Sequence, residues 1–345
     1  METILDIKGL KVEFFTPSGY VEAVRGIDLS VARGEVLAIV GESGSGKSVS
    51  SRAVMRILPA GARSSGEVRF ADIDLFSLSE REMCKIRGGK IAMVFQDPTS
   101  VLNPTVKIGK QIREAVILHT PGITREGAKE KALELMREVG IHDAEARYGE
   151  YPFQFSGGMR QRIVIAIALA GNPELLICDE PTTALDVTIE SQILSLIEGL
   201  KESRKLSVIF ITHDLGVVAR MADRIAVMYA GKIVEYGTAE EIFFDPRHPY
   251  TWALFSSLPS LSVNGRLEAI PGFVPSINEG FAADAFAPRN KYALKIDYEL
   301  MPPTFMVSET HGVASWLMHP LAPKVEMPLG LRKKIEREKQ SGEKT

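Results

Sequence analysis

The chain has 345 residues, 45% of them apolar and 25% charged, with a net charge of −3. That length allows two or three compact units, and that balance is typical of a soluble globular protein. It leaves no electrostatic footprint for nucleic acid, and no apolar run approaches the ~20 residues that span a bilayer. The N-terminus lacks the basic region and apolar core of a secretion signal. Cys84 and Cys178 are the only cysteines, so neither a disulfide framework nor a cysteine metal site is expected. These features predict a cytoplasmic protein that reaches a membrane only through a partner.

The first 40 residues read as β-rich. Ile4–Ile7, Leu10–Phe14 and Gly26–Val31 carry strand patterning, and Thr16–Gly19 reads as a turn. Phe14, Phe15 and Tyr20 are candidates to stack on a nucleotide base, with core packing as the alternative. Val36–Val40 is an apolar run, read as a buried parallel strand. Gly41-Glu42-Ser43-Gly44-Ser45-Gly46-Lys47-Ser48 follows it, and then a stretch to Leu58 without Gly or Pro, read as a helix. Strand, glycine-rich loop, Lys-Ser and helix form the context of the G-x-x-x-x-G-K-[ST] phosphate loop. In that loop backbone N–H groups cradle phosphate oxygens, Lys47 reaches the β- and γ-phosphates, and the Ser48 hydroxyl holds Mg²⁺.

Glu67–Phe70 and Lys90–Phe95 read as further strands, the second leading to Gln96, whose amide oxygen can bind Mg²⁺ or position a water. Residues 97–170 read as a helical insertion. Helices are expected over Val106–His119 and Arg125–Val139, the latter with Ala128, Ala132, Leu135, Met136 and Val139 on one face. Ser156-Gly157-Gly158 caps another helix, Ile163–Ala170, and offers a second anion site at a helix N-terminus. Leu175–Glu180 reads as an apolar strand ending in two carboxylates. Their side chains point to opposite faces, so they take different roles. Asp179 suits Mg²⁺ and Glu180 suits a general base for water. After the loop Pro181–Asp186 a helix carries Ile189, Ile193, Leu196, Ile197 and Leu200 on one stripe. Ser207–Thr212 is another buried strand, with His213 at its end, where a γ-phosphate could be touched. Residues 246–345 are proline-rich and read as a small irregular domain. The charged tail Leu331–Thr345 lacks an apolar face after Ile335 and is expected to be frayed or disordered.

Taken together these segments resemble an ABC-transporter ATPase over residues 4 to about 240. Gly41–Ser48 resembles its Walker A motif, Gln96 its Q-loop and Ser156-Gly157-Gly158 its signature. Asp179 and Glu180 resemble its Walker B pair, Asp186 its D-loop and His213 its H-loop. Phe14 sits where its base-stacking aromatic falls. Phe155 and Met159 depart from the general LSGGQ signature but leave the Ser-Gly-Gly core intact. Phe95–Pro98, Glu180–Thr188 and Arg247–Thr251 narrow the resemblance to the ATPase subunits of oligopeptide and dipeptide importers. Many of those carry a four-cysteine iron–sulfur cluster in a C-terminal extension. Here Asp284–Ala293 resembles the cluster motif without its cysteines, and Asp284, Asn290, Asp297 and Ser315 stand where thiolates would be. No cluster is expected, and these four are expected to be solvated loop residues.

The resemblance implies an α/β fold. Its P-loop NTPase core carries an N-terminal antiparallel β subdomain, a helical subdomain at about 97–170 and a small irregular C-terminal extension. The nucleotide-binding domain would cover 1–245 and the extension 246–345. It implies ATP and Mg²⁺ as ligands, with Gly41, Ser43, Gly44, Ser45, Gly46, Lys47, Ser48, Phe14, Asp186 and the Ser156-Gly157-Gly158 turn on nucleotide. Ser48, Gln96 and Asp179 would hold the metal, and Glu180, His213 and Gln96 would act in hydrolysis. The implied protein is peripheral on the cytoplasmic membrane face. Its implied partners are transmembrane permease subunits, reached near Gln96–Val106, a similar but non-identical second ATPase, and indirectly an external substrate-binding protein. Two subunits would sandwich two ATPs, each phosphate loop facing the other's signature. Oligosaccharides or nickel are alternative cargoes. A soluble ABC ATPase of DNA repair or translation is the rival from another class. Only about 60 residues separate Gln96 from Ser156, without sustained heptads or a second cassette, which argues against it. A non-hydrolytic regulator is disfavoured by the intact Glu180 and His213.

Overall fold

The structure, a computed structural model, describes residues 2–17, 19–183, 185–257, 270, 272 and 282–342. Ser18 of the predicted first turn, Ala184 of the loop before Asp186, and the last three residues of the predicted tail lie outside these. The chain divides into two compact units. One comprises Met1–Asp6, Ser30–Val36 and Val68–Ile211, the other Ile7–Leu29, Leu37–Glu67 and Thr212–Thr345. The long strands Thr3–Thr16 and Gly19–Ala32 join Ala62–Phe70 and Ile73–Asp74 in a four-stranded sheet, in the order Gly19–Ala32, Thr3–Thr16, Ala62–Phe70, Ile73–Asp74.

In the first unit Ile91–Val94, Leu175–Asp179 and Ser207–Thr212 lie side by side in parallel, with Met93 opposite Ile177 and Ile177 opposite Ile209. Every residue of the three strands is buried. Burial on both faces is why they read as unbroken apolar runs without alternation. Helices Ile108–His119, Arg125–Glu138 and Gly157–Leu169 pack on one another as the predicted insertion. The predicted stripe Ala128, Ala132, Leu135, Met136 and Val139 is buried throughout. Arg204, near the end of helix Val187–Arg204, clamps Glu138 with Nε and Nη2 at 2.6 and 2.5 Å. On that helix Leu194 is buried while Leu196, expected on the stripe, is only half-buried. A helix Glu80–Ile86, capped reciprocally by Ser79 and Glu82, was not expected. Its Ser-x-x-Glu start is a capping box legible in the sequence.

In the second unit Val40 pairs in parallel with Val227, and Arg224–Tyr229 turns back antiparallel onto Lys232–Thr238. The extension continues that sheet: Gly312–Val313 pairs with the Lys232–Thr238 strand and Phe305–Met306 with Gly312–Val313. Buried Glu235 accepts from the backbone N–H of Arg247 and His248 and meets His311 Nε2 at 2.8 Å. The helix after the phosphate loop is shorter than predicted, Lys47–Val54. Arg56 takes a left-handed φ of 51°, and Ile57 N–H reaches back to Arg52 O at 3.0 Å. This closes the helix without the glycine that usually marks such an end.

Two expectations are overturned in the extension. The charged tail is helical over Leu329–Gly342. Leu331 and Ile335 lie one turn apart on one face, and both are buried in a cluster with Tyr250, Trp252, Phe255 and Phe286. Burying each such side chain contributes about 1.5–3 kcal/mol, which a charged helix with two anchors can use. The residues at the cysteine positions are not solvated either: Asn290, Asp297 and Ser315 are buried. Each spends its side-chain oxygen on a turn. Asp284 accepts from Phe286 N–H at 2.9 Å, Asn290 from Tyr292 N–H at 2.9 Å, Asp297 from Leu294 N–H at 2.5 Å and Ser315 from Leu317 N–H at 3.3 Å. Small side chains with one good acceptor build such turns, and a cluster needs thiolates instead.

Burial, with the Asp297 charge adding to it, pushes the Asp284 carboxyl up to about 6. Between about pH 4 and that value the folded protein holds a proton that the unfolded chain has lost, so stability falls as pH rises through this window. Asp284→Asn keeps an acceptor for Phe286 and removes the cost. We expect its urea midpoint at pH 8 to exceed that of the unsubstituted protein, by on the order of 1–3 kcal/mol in stability, with the gap closing towards pH 4.

Candidate functional site

The strand Val36–Val40 delivers the chain to Gly41 at a point with no room for a side chain. A Cβ there would lie 2.1 Å from the backbone oxygen of Met228, and Gly41 has φ 152°. At Gly46, φ 101°, a Cβ would come within 2.7 Å of Ala23 O and 2.8 Å of Met228 Cε. The loop is therefore wedged against the neighbouring strand, and only glycine fits. Ser45 O accepts from Gly231 N–H at 2.9 Å, fixing the loop from the other side. Ser45 Oγ is buried and has no hydrogen-bond partner among the described residues. Such a hydroxyl is suited to a ligand oxygen.

Lys47 is buried, and its ammonium is held on the loop's own carbonyls, donating to Gly41 O at 2.8 Å and Glu42 O at 3.0 Å. These bonds keep the charge at the centre of the loop, where a phosphate oxygen can replace a carbonyl as acceptor. Lys47 and Ser48 open helix Lys47–Val54, whose N-terminal N–H groups and dipole favour the same anion. Of the aromatic candidates, Phe14 is half-buried, while Phe15 and Tyr20 are 66% and 46% exposed and stack edge-on at 5.5 Å. Arg63 lies 4.5 Å over the Tyr20 ring. His213 is exposed just after the strand Ser207–Thr212. Phe14, residues 41–48 and His213 belong to the second unit; Gln96, the Ser156-Gly157-Gly158 turn, Asp179, Glu180 and Asp186 belong to the first.

In the first unit the two carboxylates sit in different surroundings, and Glu180 lies outside the strand on which alternation was expected to separate them. Asp179 is the last residue of the strand Leu175–Asp179 and is buried. Glu180 leaves the strand with a left-handed φ of 48°, its N–H bonded to Ile211 O at 2.9 Å. This strained conformation turns its carboxylate away from the strand line. Gln96 Nε2 donates to Glu180 Oε2 at 3.0 Å, and Thr183 Oγ1 donates to the same oxygen at 3.0 Å. Gln96 and Thr183 thus hold one oxygen of the Glu180 carboxylate in place. With its nitrogen on Glu180, Gln96 can turn its amide oxygen to a cation or water. Thr183 was not singled out beforehand, although its place three residues after Glu180 puts it within a turn's reach.

Ser156 Oγ accepts from Met159 N–H at 3.4 Å and caps helix Gly157–Leu169, which starts six residues before the expected Ile163. Phe155, the departure from the signature, is buried, and Gly158 packs so tightly that a Cβ would lie 2.3 Å from Ile189 Cγ2. Ser156 and Gly157 stay exposed. Asp186 Oδ1 accepts from Ile189 N–H at 2.9 Å, so its local work is to cap helix Val187–Arg204. The signature turn and the Asp186-capped helix are brought together by the Gly158–Ile189 contact.

Two contacts of the phosphate loop were not anticipated. Arg289 grips the Glu42 carboxylate with Nη1 to Oε2 at 2.7 Å and Nη2 to Oε1 at 3.0 Å. Glu42 N–H donates to Tyr250 Oη at 2.9 Å. No local spacing rule connects partners more than 200 residues apart.

A family model described as ABC transporter matches residues 24–183, and one described as the C-terminal region of oligopeptide/dipeptide transporters matches residues 234–296. The chain is 55% identical to the oligopeptide transport ATP-binding protein OppD of Bacillus subtilis, over 97% of this chain and 94% of that protein. It is 53% identical to the dipeptide transport ATP-binding protein DppD of Lactococcus lactis, over 94% of this chain and 93% of that protein. The solved dimeric ATP-binding cassette MJ0796, bound to ADP and Pi, matches with a TM-score of 0.61 and 29% identity. That match covers 68% of this chain and 98% of the solved one.

The wedge at Gly41 predicts a graded response to added methyl groups. Gly41→Ala must displace backbone and is expected to lower ATP affinity at least ~10-fold, or to destabilise the fold by about 1–3 kcal/mol. Gly44→Ala meets nothing within 4 Å and should cost only the left-handed backbone term, about 1–2 kcal/mol, without a steric clash. Nucleotide titrations and thermal melts of the two variants check this order.

Proposed function

The chain belongs to the family of ATP-binding subunits of oligopeptide and dipeptide ABC transporters, and we propose how its residues divide the work of ATP hydrolysis in such an importer. It is an ATPase that powers an ABC importer for oligopeptides or dipeptides. In our reading the nucleotide-binding domain occupies 1–245, with its helical subdomain at about 97–170, and the extension occupies 246–345. The phosphate loop, Gly41 to Ser48, binds the triphosphate through its amides and Lys47, and an aromatic from Phe14, Phe15 or Tyr20 stacks on the base.

The observation that carries the catalytic assignment is the held Glu180 carboxylate, bonded to Gln96 and Thr183. Water attacks the γ-phosphorus as the bond to the leaving ADP oxygen breaks, and Glu180 takes the proton released by the water. His213 is assigned to the γ-phosphate. Ser48, Gln96 and Asp179 offer hydroxyl, amide and carboxylate oxygens, the hard donor set that suits Mg²⁺. The metal would neutralise charge on the phosphates. Ser156, Gly157 and Gly158 would meet the γ-phosphate bound on a second ATPase subunit, and Asp186 would line that junction. The exposed Ser156 and Gly157 at a capped helix N-terminus support this role.

No helix among the described residues is long and apolar enough to cross a membrane. On its kinship with importer ATP-binding subunits we assign the chain to the cytoplasmic membrane face, held there by permease subunits that contact the region Gln96–Val106. A similar but non-identical ATPase is the proposed partner, with an external binding protein selecting the cargo.

Glu180→Gln keeps the hydrogen-bonding shape and removes the base. Phosphate release should fall by about 10²–10⁴-fold while ATP affinity stays within about threefold. A variant that turns over at the unsubstituted rate would show that the proton goes elsewhere.

A further inference from the structure

Glu42 poses an electrostatic problem. It places a carboxylate inside the loop that has to accept the most negative part of ATP. The structure answers it from the extension. Arg289 pairs with both Glu42 oxygens, and only 5% of the arginine side chain is exposed against 26% for Glu42. The same guanidinium donates to Tyr229 Oη at 3.2 Å and lies 5.7 Å from the centre of that ring. Burial alone would lower the arginine, but its hydrogen bonds to Glu42 and Tyr229 outweigh this and keep it firmly charged. Tyr250 Oη accepts from Glu42 N–H at 2.9 Å. Tyr229, Tyr250 and Phe286 pack ring against ring within 5.3 Å of one another.

The turn that presents Arg289 is built by the residues at the missing cysteine positions. Asp284 and Asn290 flank the single turn Ala287–Arg289 and accept from Phe286 and Tyr292 N–H. Asp284 is itself fixed by its N–H to Asp297 O at 3.0 Å.

We infer that Arg289 is a positioning residue for the phosphate loop: it cancels the charge of Glu42 and, with Tyr250, holds that peptide so that the loop accepts the triphosphate. The extension thereby acts on nucleotide binding from within the same chain. This inference rests on the reading of residues 41–48 as the ATP site.

The test is a double-mutant cycle on ATP affinity, measured by calorimetric titration of the full chain, with thermal melts recorded alongside. Arg289→Met leaves Glu42 charged beside the phosphates and should raise the ATP Kd about 10-fold or more. The double variant Arg289→Met/Glu42→Gln leaves no stranded charge and should recover most of that loss. A purely structural Arg289 would show a lowered melting temperature and no rescue by Glu42→Gln. An unchanged Kd in Arg289→Met, or a double variant as weak as Arg289→Met alone, overturns the inference. If Arg289→Met does not fold, the double variant decides alone, since an ATP Kd still about 10-fold above that of the unsubstituted chain contradicts charge cancellation. Failure of the unsubstituted chain to bind ATP, or binding that survives Lys47→Ala, would instead overturn the phosphate-loop reading.

Discussion

A loop that must offer its backbone N–H groups to a ligand cannot use them to hold itself still. The segment Gly41–Ser48 meets this constraint mainly with steric contact and with hydrogen bonds accepted by its own carbonyls. Gly41 and Gly46 lie so close to the backbone around Met228 and Ala23 that no side chain fits. Lys47, the loop's own cation, caps the carbonyls of Gly41 and Glu42. The loop is therefore shaped before any nucleotide arrives, and the ordering cost is met in folding and not in binding.

The residues proposed for hydrolysis follow a related logic in the other unit. A strand that runs straight into two carboxylates would leave the second one aimed by chance. The left-handed Glu180 backbone turns it, and Gln96 and Thr183 hold one of its oxygens. Asp179 stays buried in the strand line. Adjacent carboxylates thus acquire separate surroundings from one backbone kink, which is how neighbouring acids come to do different chemistry.

The extension shows how a few polar side chains organise a segment with little regular structure. At Asp284, Asn290, Asp297 and Ser315 a side-chain oxygen closes a turn. The turns present an arginine to the loop, and two short strands continue the sheet that borders it.

Much of this protein was legible in its residues. The phosphate loop, the buried parallel strands, the helical insertion with its Ala128–Val139 stripe and the Ser156 cap are local patterns with periods of two or 3.6 residues, or fixed turn chemistry. The helix end at Arg56 and the helical tail were misread because the glycine was absent in one and the apolar face was reduced to Leu331 and Ile335 in the other. Long-range pairing had no local trace. Arg289 with Glu42, Tyr250 with the Glu42 amide, and Glu235 with His311 are chosen by how strands and turns stack, and side chains distant in sequence meet only once that stacking exists. The residues by themselves determined what chemistry the loop can perform; the tertiary structure alone decided which distant charges keep that loop neutral and in place.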